Sequence, residues 1–239
     1  LTIFATFCSF LFIYICIVFL IAQLRQDNSV MDIAYGPAFY FSALATLWWT
    51  GITTPLSLLI TGLLGIWSIR LALRIYRKNH GKPEDARYAA WRTEWTKRGQ
   101  LYFAVRSFLQ INLLQGAIIT IVALPFMVAA TDTTLPPSPF LVLGIGTYLF
   151  GIIFESIADY QLDQFLARKR LGIESAILMT TGLFQYARRP NYFGETLIWW
   201  GLAIMALPLS FGYLALLSPL LITYIVTKVT GPMLENIFL

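Results

Sequence analysis

The polar residues that could do chemistry crowd into two stretches of the second half of the chain. One is Thr181-Gly-Leu-Phe-Gln-Tyr-Ala-Arg-Arg-Pro-Asn-Tyr-Phe-Gly-Glu195. Gly182 breaks the structure before it, and Pro190 pre-sets the backbone for the first turn of a helix. Arg188 and Arg189 then stand just before that helix, where free backbone N–H groups and the helix dipole favour an anion. Asn191 and Glu195, spaced i, i+4, share one helix face. The other stretch is Glu155-Ser-Ile-Ala-Asp159-Tyr-Gln-Leu-Asp163, with Glu155 and Asp159 again i, i+4 and Arg168-Lys169-Arg170 further on. Carboxylates beside a basic cluster suit a ligand with hydroxyls, amides and phosphates, as in a nucleotide. Two plainer readings fit the same residues: an arginine pair anchoring a membrane interface, and a solvated amphipathic helix.

Composition says what must position these groups. Of 239 residues, 58% are hydrophobic and only 12% charged, whereas a soluble domain carries about a quarter charged residues. This excludes a water-soluble globule, a disordered chain and a disulfide scaffold, since Cys8 and Cys16 share one apolar run. The fold class is all-α, a polytopic membrane protein. A span needs about 20 apolar residues, and seven transmembrane helices are expected: 1–24, 39–49, 55–73, 107–130, 139–158, 192–207 and 213–228. The chain is read as one membrane domain, 1–106 forming substrate-side helices and a basic loop, 107–239 the cofactor-binding part.

Charge sets the orientation. Ten basic residues face three acids between 70 and 106, and five more basic residues lie between 155 and 190. The intervening loops carry a single charge, Asp132. The positive-inside rule puts both basic loops in the cytoplasm and, with seven spans, the N-terminus outside. The net charge of +5 therefore points to membrane topology and gives no reason to expect nucleic acid. Charges at the ends of spans (Asp32, Arg70, Arg74, Glu155, Asp159, Glu195, Lys228, Glu235) cluster at one membrane face, as a polar pocket open to the cytosol requires. No dinucleotide-binding GxGxxG, P-loop or zinc motif is present, and the lone His80 excludes a His-ligated metal site.

Residues 182–195 resemble the GLW-Y-(S/T)RHPNYFGE signature of the DUF1295 family within the steroid 5-alpha-reductase superfamily. The resemblance extends through Asp32-Ile-Ala-Tyr-Gly36, Trp67-Ser-Ile-Arg-Leu71, Glu155 with Asp159–Leu162, Trp199-Trp200-Gly201 and Gly231–Glu235. It implies a seven-helix, NADPH-dependent membrane reductase that passes hydride to the C=C bond of a lipid-soluble, 3-oxo-steroid-like enone. Asn191 and Glu195 match positions at the nicotinamide-ribose half of the cofactor, with Tyr192 in the same signature. Glu155 and Asp159 match positions at the adenosine side, with Arg188, Arg189 and Arg168 toward the phosphates. The chain departs from the family at Arg189, where the signature has His. It departs again at Asp32 and Trp67, which stand where the steroid reductases carry the Glu and Tyr that polarise the substrate carbonyl. Indole can only donate a hydrogen bond, so Tyr35, near Asp32, is the expected replacement. Two rivals remain: an S-adenosylmethionine-dependent lipid or isoprenylcysteine-type methyltransferase, and a non-catalytic membrane binder of the same fold.

Overall fold

A computed structural model describes residues 2–230, all of whose regular elements are helical; Glu235 and the 231–239 end of the resemblance lie outside them. The chain forms two compact units, 1–133 and 134–239.

In the first unit, α1 (Thr2–Arg25), α2 (Val30–Thr50) and α3 (Pro55–Asn79) lead into α4 (Ala86–Thr96). Next come α5 (Gln100–Ser107), a π-helical turn Phe108–Leu113, α6 (Leu114–Val122) and α7 (Leu124–Thr131). The start of α3 is written in its sequence: Pro55 needs no N–H, and Thr54 and Ser57 close a reciprocal cap. Side-chain bonds then fasten the helices together. Tyr14 donates to the Ala34 carbonyl at 3.0 Å, and Thr54 Oγ1 donates to the Ala129 carbonyl at 2.7 Å. Phe7 packs on Phe126 with ring centres 5.8 Å apart.

The second unit holds α8 (Ser138–Arg170), a 3₁₀ turn Gly182–Gln185 and α9 (Pro190–Ala206). A second 3₁₀ turn (Gly212–Leu216) leads to α10 (Leu217–Tyr224) and a π-helical end Ile225–Thr230. The antiparallel α8 and α9 touch backbone to backbone. A Cβ at Gly151 would meet the Gly194 carbonyl oxygen at 2.8 Å, and one at Gly201 would meet the Gly144 carbonyl oxygen at 2.7 Å. Small residues that let backbones approach this closely are the usual contact between helices where lipid offers no hydrophobic drive.

Among the described residues, five helical segments are long and apolar enough to cross a bilayer, not the seven expected: Thr2–Arg25, Pro55–Asn79, Gln100–Val122, Ser138–Arg170 and Gly212–Val229. These are compatible with a multi-pass membrane protein. Helix α9 has 17 residues and reaches about 25 Å at 1.5 Å per residue, short of the ~30 Å core. In α2 the apolar stretch is diluted by Asp32, Tyr35, Pro37, Tyr40 and two tryptophans. That helix also starts well before residue 39, carrying Pro37 inside it, while Gly36 lies against the α3 backbone at Ser68. The expected 107–130 span is divided at Ala123 because Pro125 opens a new helix. The expected basic loop 70–106 is largely helical, within α3, α4 and α5.

Candidate functional site

The glycine contact between α8 and α9 sets the register of the polar residues. A Cβ at Gly194 would lie 2.6 Å from the backbone nitrogen of Glu155 and 2.8 Å from its Cα. Glu155 is therefore wedged against α9 one residue from Glu195, and the antiparallel register carries Asp159 one turn further, level with Pro190 and Asn191. Both carboxylates are buried, Glu155 5% and Asp159 3% exposed. Glu155, Asp159, Asn191 and Glu195, read from two separate stretches of sequence, thus converge on one end of the helix pair. Asn191 brings Oδ1 into the protein interior with no hydrogen-bond partner among the described residues.

Around this end stand the cations and the aromatic ring of the signature. Arg188 is exposed and Arg189 half-buried, the Arg189 guanidinium lying 5.8 Å from the centre of the Tyr192 ring. Pro190 does open α9. Arg168 is not brought to the same place: it is exposed at the last turn of α8, nine residues or about 13 Å of helix beyond Asp159.

One positioning residue was not singled out from the sequence. Gly182 adopts φ +62°, a conformation that costs glycine nothing. The turn it begins is held on α8 because Gln161 Oε1 accepts the Leu183 N–H at 2.9 Å. Phe184 is buried behind it. The signature stretch is thereby tied down three residues before its arginines. Gln161→Ala leaves that N–H without its acceptor and is expected to cost about 1–2 kcal/mol. Faster amide exchange at 182–185 in Gln161→Ala, but not in Gln161→Glu, checks this.

The three residues expected to polarise a substrate lie in the first unit. Asp32 sits in the first turn of α2, ahead of its apolar stretch, with its side chain 24% exposed. Its Oδ1 accepts the Tyr88 hydroxyl at 2.6 Å, and Oδ2 faces Arg87 Nη2 at 3.3 Å. The phenol on Asp32 is Tyr88, 56 residues away; Tyr35, expected to polarise the substrate carbonyl in place of the family tyrosine, packs its ring edge-on to Phe39 at 5.4 Å. Trp67 is 1% exposed and packs edge-on to the same Phe39 at 5.6 Å.

Helix α4 is clamped over the α1–α2 turn. Glu84 takes a two-pronged grip from Arg92 at 2.8 and 2.9 Å and accepts the Asn28 N–H at 2.8 Å. Ser29 Oγ accepts the Asp85 N–H at 2.9 Å. Burial pushes the Asp32 carboxyl above the usual range, and the Tyr88 hydrogen bond and Arg87 charge offset this only in part. Against the upward push of its own partial burial, the hydrogen bonds and charge of Arg87 hold Asp85 below that range. Burial, then the Asp32 charge, drives the Tyr88 phenol well above the ordinary tyrosine value.

These features describe a helical protein, its apolar helices compatible with several membrane passes, with a carboxylate-rich end on one helix pair. The family model described as a protein of unknown function, DUF1295, matches residues 18–238, and the chain belongs to that family. It is 28% identical over 155 residues to an uncharacterised protein of Schizosaccharomyces pombe, covering 56% of this chain and 43% of that relative. The chain therefore spans less than half the length of this curated relative. No solved structure matches it.

Proposed function

We propose that this protein is a membrane-embedded, NADPH-dependent reductase that adds hydrogen across the C=C bond of a lipid-soluble enone. The observation that carries the reading is the convergence of Glu155, Asp159, Asn191 and Glu195 at the arginine-flanked start of α9. The donor set suits such a cofactor: guanidiniums for phosphates, carboxylates for ribose hydroxyls, and the buried, unpartnered Asn191 Oδ1 for an amide N–H. In this reading Arg188 and Arg189 bind phosphate, Glu155 and Asp159 hold the adenosine side, and Asn191, Tyr192 and Glu195 hold the nicotinamide-ribose side. The cofactor would supply the hydride. The resemblance to the steroid 5-alpha-reductase superfamily supports the same assignment. By the positive-inside rule, both basic segments and the cofactor end would face the cytoplasm.

Asp32 is the proton donor of this proposal. Burial pushes its carboxyl upward against the Tyr88 hydrogen bond and the Arg87 charge, and in this reading it would pass a proton to the substrate oxygen as negative charge develops there. Tyr88 is a positioning residue, fixing the carboxyl through Oδ1.

Thermal unfolding of purified protein with NADPH, NADH or S-adenosylmethionine tests the cofactor assignment, because a ligand of the native state raises the midpoint by mass action. NADPH at 100 times its Kd is expected to add about 2.7 kcal/mol. Most of that gain should be missing in Arg189→Ala and Glu195→Ala. A response to S-adenosylmethionine alone would make the protein a methyltransferase, and no response to any of the three would leave a binding protein.

A further inference from the structure

We propose that Arg98 and Arg106 form a headgroup site for an anionic phospholipid, independent of the reductase reading. The chain leaves α4, turns through Gly99 at φ +100° and enters the membrane-length segment Gln100–Val122. Tyr102 and Arg106, at i and i+4, share one face of α5, and Arg98 reaches the same ring from the turn before the helix. Arg98 lies 5.2 Å from the centre of the Tyr102 ring and donates from Nη1 to its hydroxyl oxygen at 3.3 Å. Arg106 lies 6.0 Å from the same ring and 5.7 Å from that of Trp95. Two exposed guanidiniums thus share one aromatic plate.

The acids of the neighbouring segment are committed elsewhere: Glu84 to Arg92, Asp85 to Arg87 and Glu94 to Lys97. Among the described residues, none pairs with Arg98 or Arg106. Two exposed like charges flanking one ring offer a site that an anion from outside the protein would neutralise. The adjacent helix face indicates its source. Leu101, Val105 and Leu109, also four apart, are all exposed and form an apolar stripe suited to acyl chains. The start of α5 has no side-chain cap, so its free N–H groups add to the attraction for a phosphate. A lipid with a net negative headgroup satisfies the cations and the stripe together, whereas a zwitterionic lipid brings a cation of its own.

The test uses the whole protein in detergent, stripped of lipid and supplied with phosphatidylglycerol, phosphatidylcholine or water-soluble glycerol phosphate. Thermal midpoints and lipid retained in native mass spectrometry are read together. Phosphatidylglycerol should be retained over phosphatidylcholine, and each Arg→Gln change should cut that preference about fivefold, the factor for roughly 1 kcal/mol per basic residue at an anionic surface. Arg77→Gln with Lys78→Gln, on the last turn of α3, should leave the preference unchanged. Equal retention of both lipids by the wild type would overturn the proposal. So would a preference that survives Arg98→Gln/Arg106→Gln or falls equally with Arg77→Gln/Lys78→Gln. Protection by glycerol phosphate equal to that by the lipid would reject the lipid and leave a phosphate site.

Discussion

Replacing Gly194 with valine is expected to destabilise the second unit by more than about 3 kcal/mol, the upper end of ordinary overpacking costs. The reason is the identity of the neighbours. The new Cβ would fall 2.6 Å from the Glu155 nitrogen and 2.8 Å from its Cα, and backbone cannot rotate aside as the end of a long side chain can. Helices α8 and α9 would have to separate, moving Glu155 and Asp159 away from the start of α9. Under the reductase proposal, NADPH then no longer raises the thermal midpoint. Gly146, on α8, is the control, because a Cβ there meets nothing within 4 Å. Gly146→Ala should stabilise by about 0.5–1 kcal/mol by removing backbone entropy from the unfolded chain. Opposite signs for two glycines of one contact pair and one open face, measured by thermal unfolding in detergent, would establish that α8–α9 packing is backbone-limited. Similar, small effects at both would show that the contact yields.

That glycine seam was readable before the fold was known. Gly144 and Gly151 are seven residues apart, as are Gly194 and Gly201, the spacing of two helical turns. The sequence reading instead followed the charges. Each polar pair was legible on its own helix because i, i+4 spacing and a proline-started helix are local facts, whereas the register that sets Glu155 against Gly194 comes from packing. Pro55, Pro190 and the positive φ of Gly182 are legible for the same reason: each depends only on neighbouring residues. The number of spans was not legible, because proline has two meanings. Pro125 opens a new helix while Pro37 lies inside one, and which occurs depends on what packs against the freed carbonyls. The partner of Asp32 was beyond reach for a different reason. The hydroxyl that reaches it is that of Tyr88 on α4, after a long excursion of chain. Only the fold could supply that pairing.

Changing Asp32 to asparagine is expected to lower turnover of the proposed reaction by about 10²–10⁴-fold, the usual worth of a positioned general acid. NADPH should still stabilise the variant, since the residues proposed to hold it all lie in the second unit. The pH profile separates a proton donor from a clamp. A donor must be protonated, so wild-type turnover should decline as pH rises through the raised Asp32 pKa. Arg87→Gln removes a charge that favours the carboxylate and should carry the decline to higher pH. Tyr88→Phe removes a hydrogen bond acting in the same direction, so it should also shift the decline upward while lowering kcat through loss of positioning. The stability effect has the matching sign. A carboxyl whose folded pKa exceeds its unfolded value costs nothing below the unfolded value, and its ionisation opposes folding as pH rises through the folded one. Asp32→Asn should therefore relieve that opposition at neutral pH while it weakens the bonds to Tyr88 and Arg87. If Asp32→Asn instead reduces stability but turns over like the wild type, with an unaltered pH profile, Asp32 only fastens α4 to α2 and the proton comes from another residue.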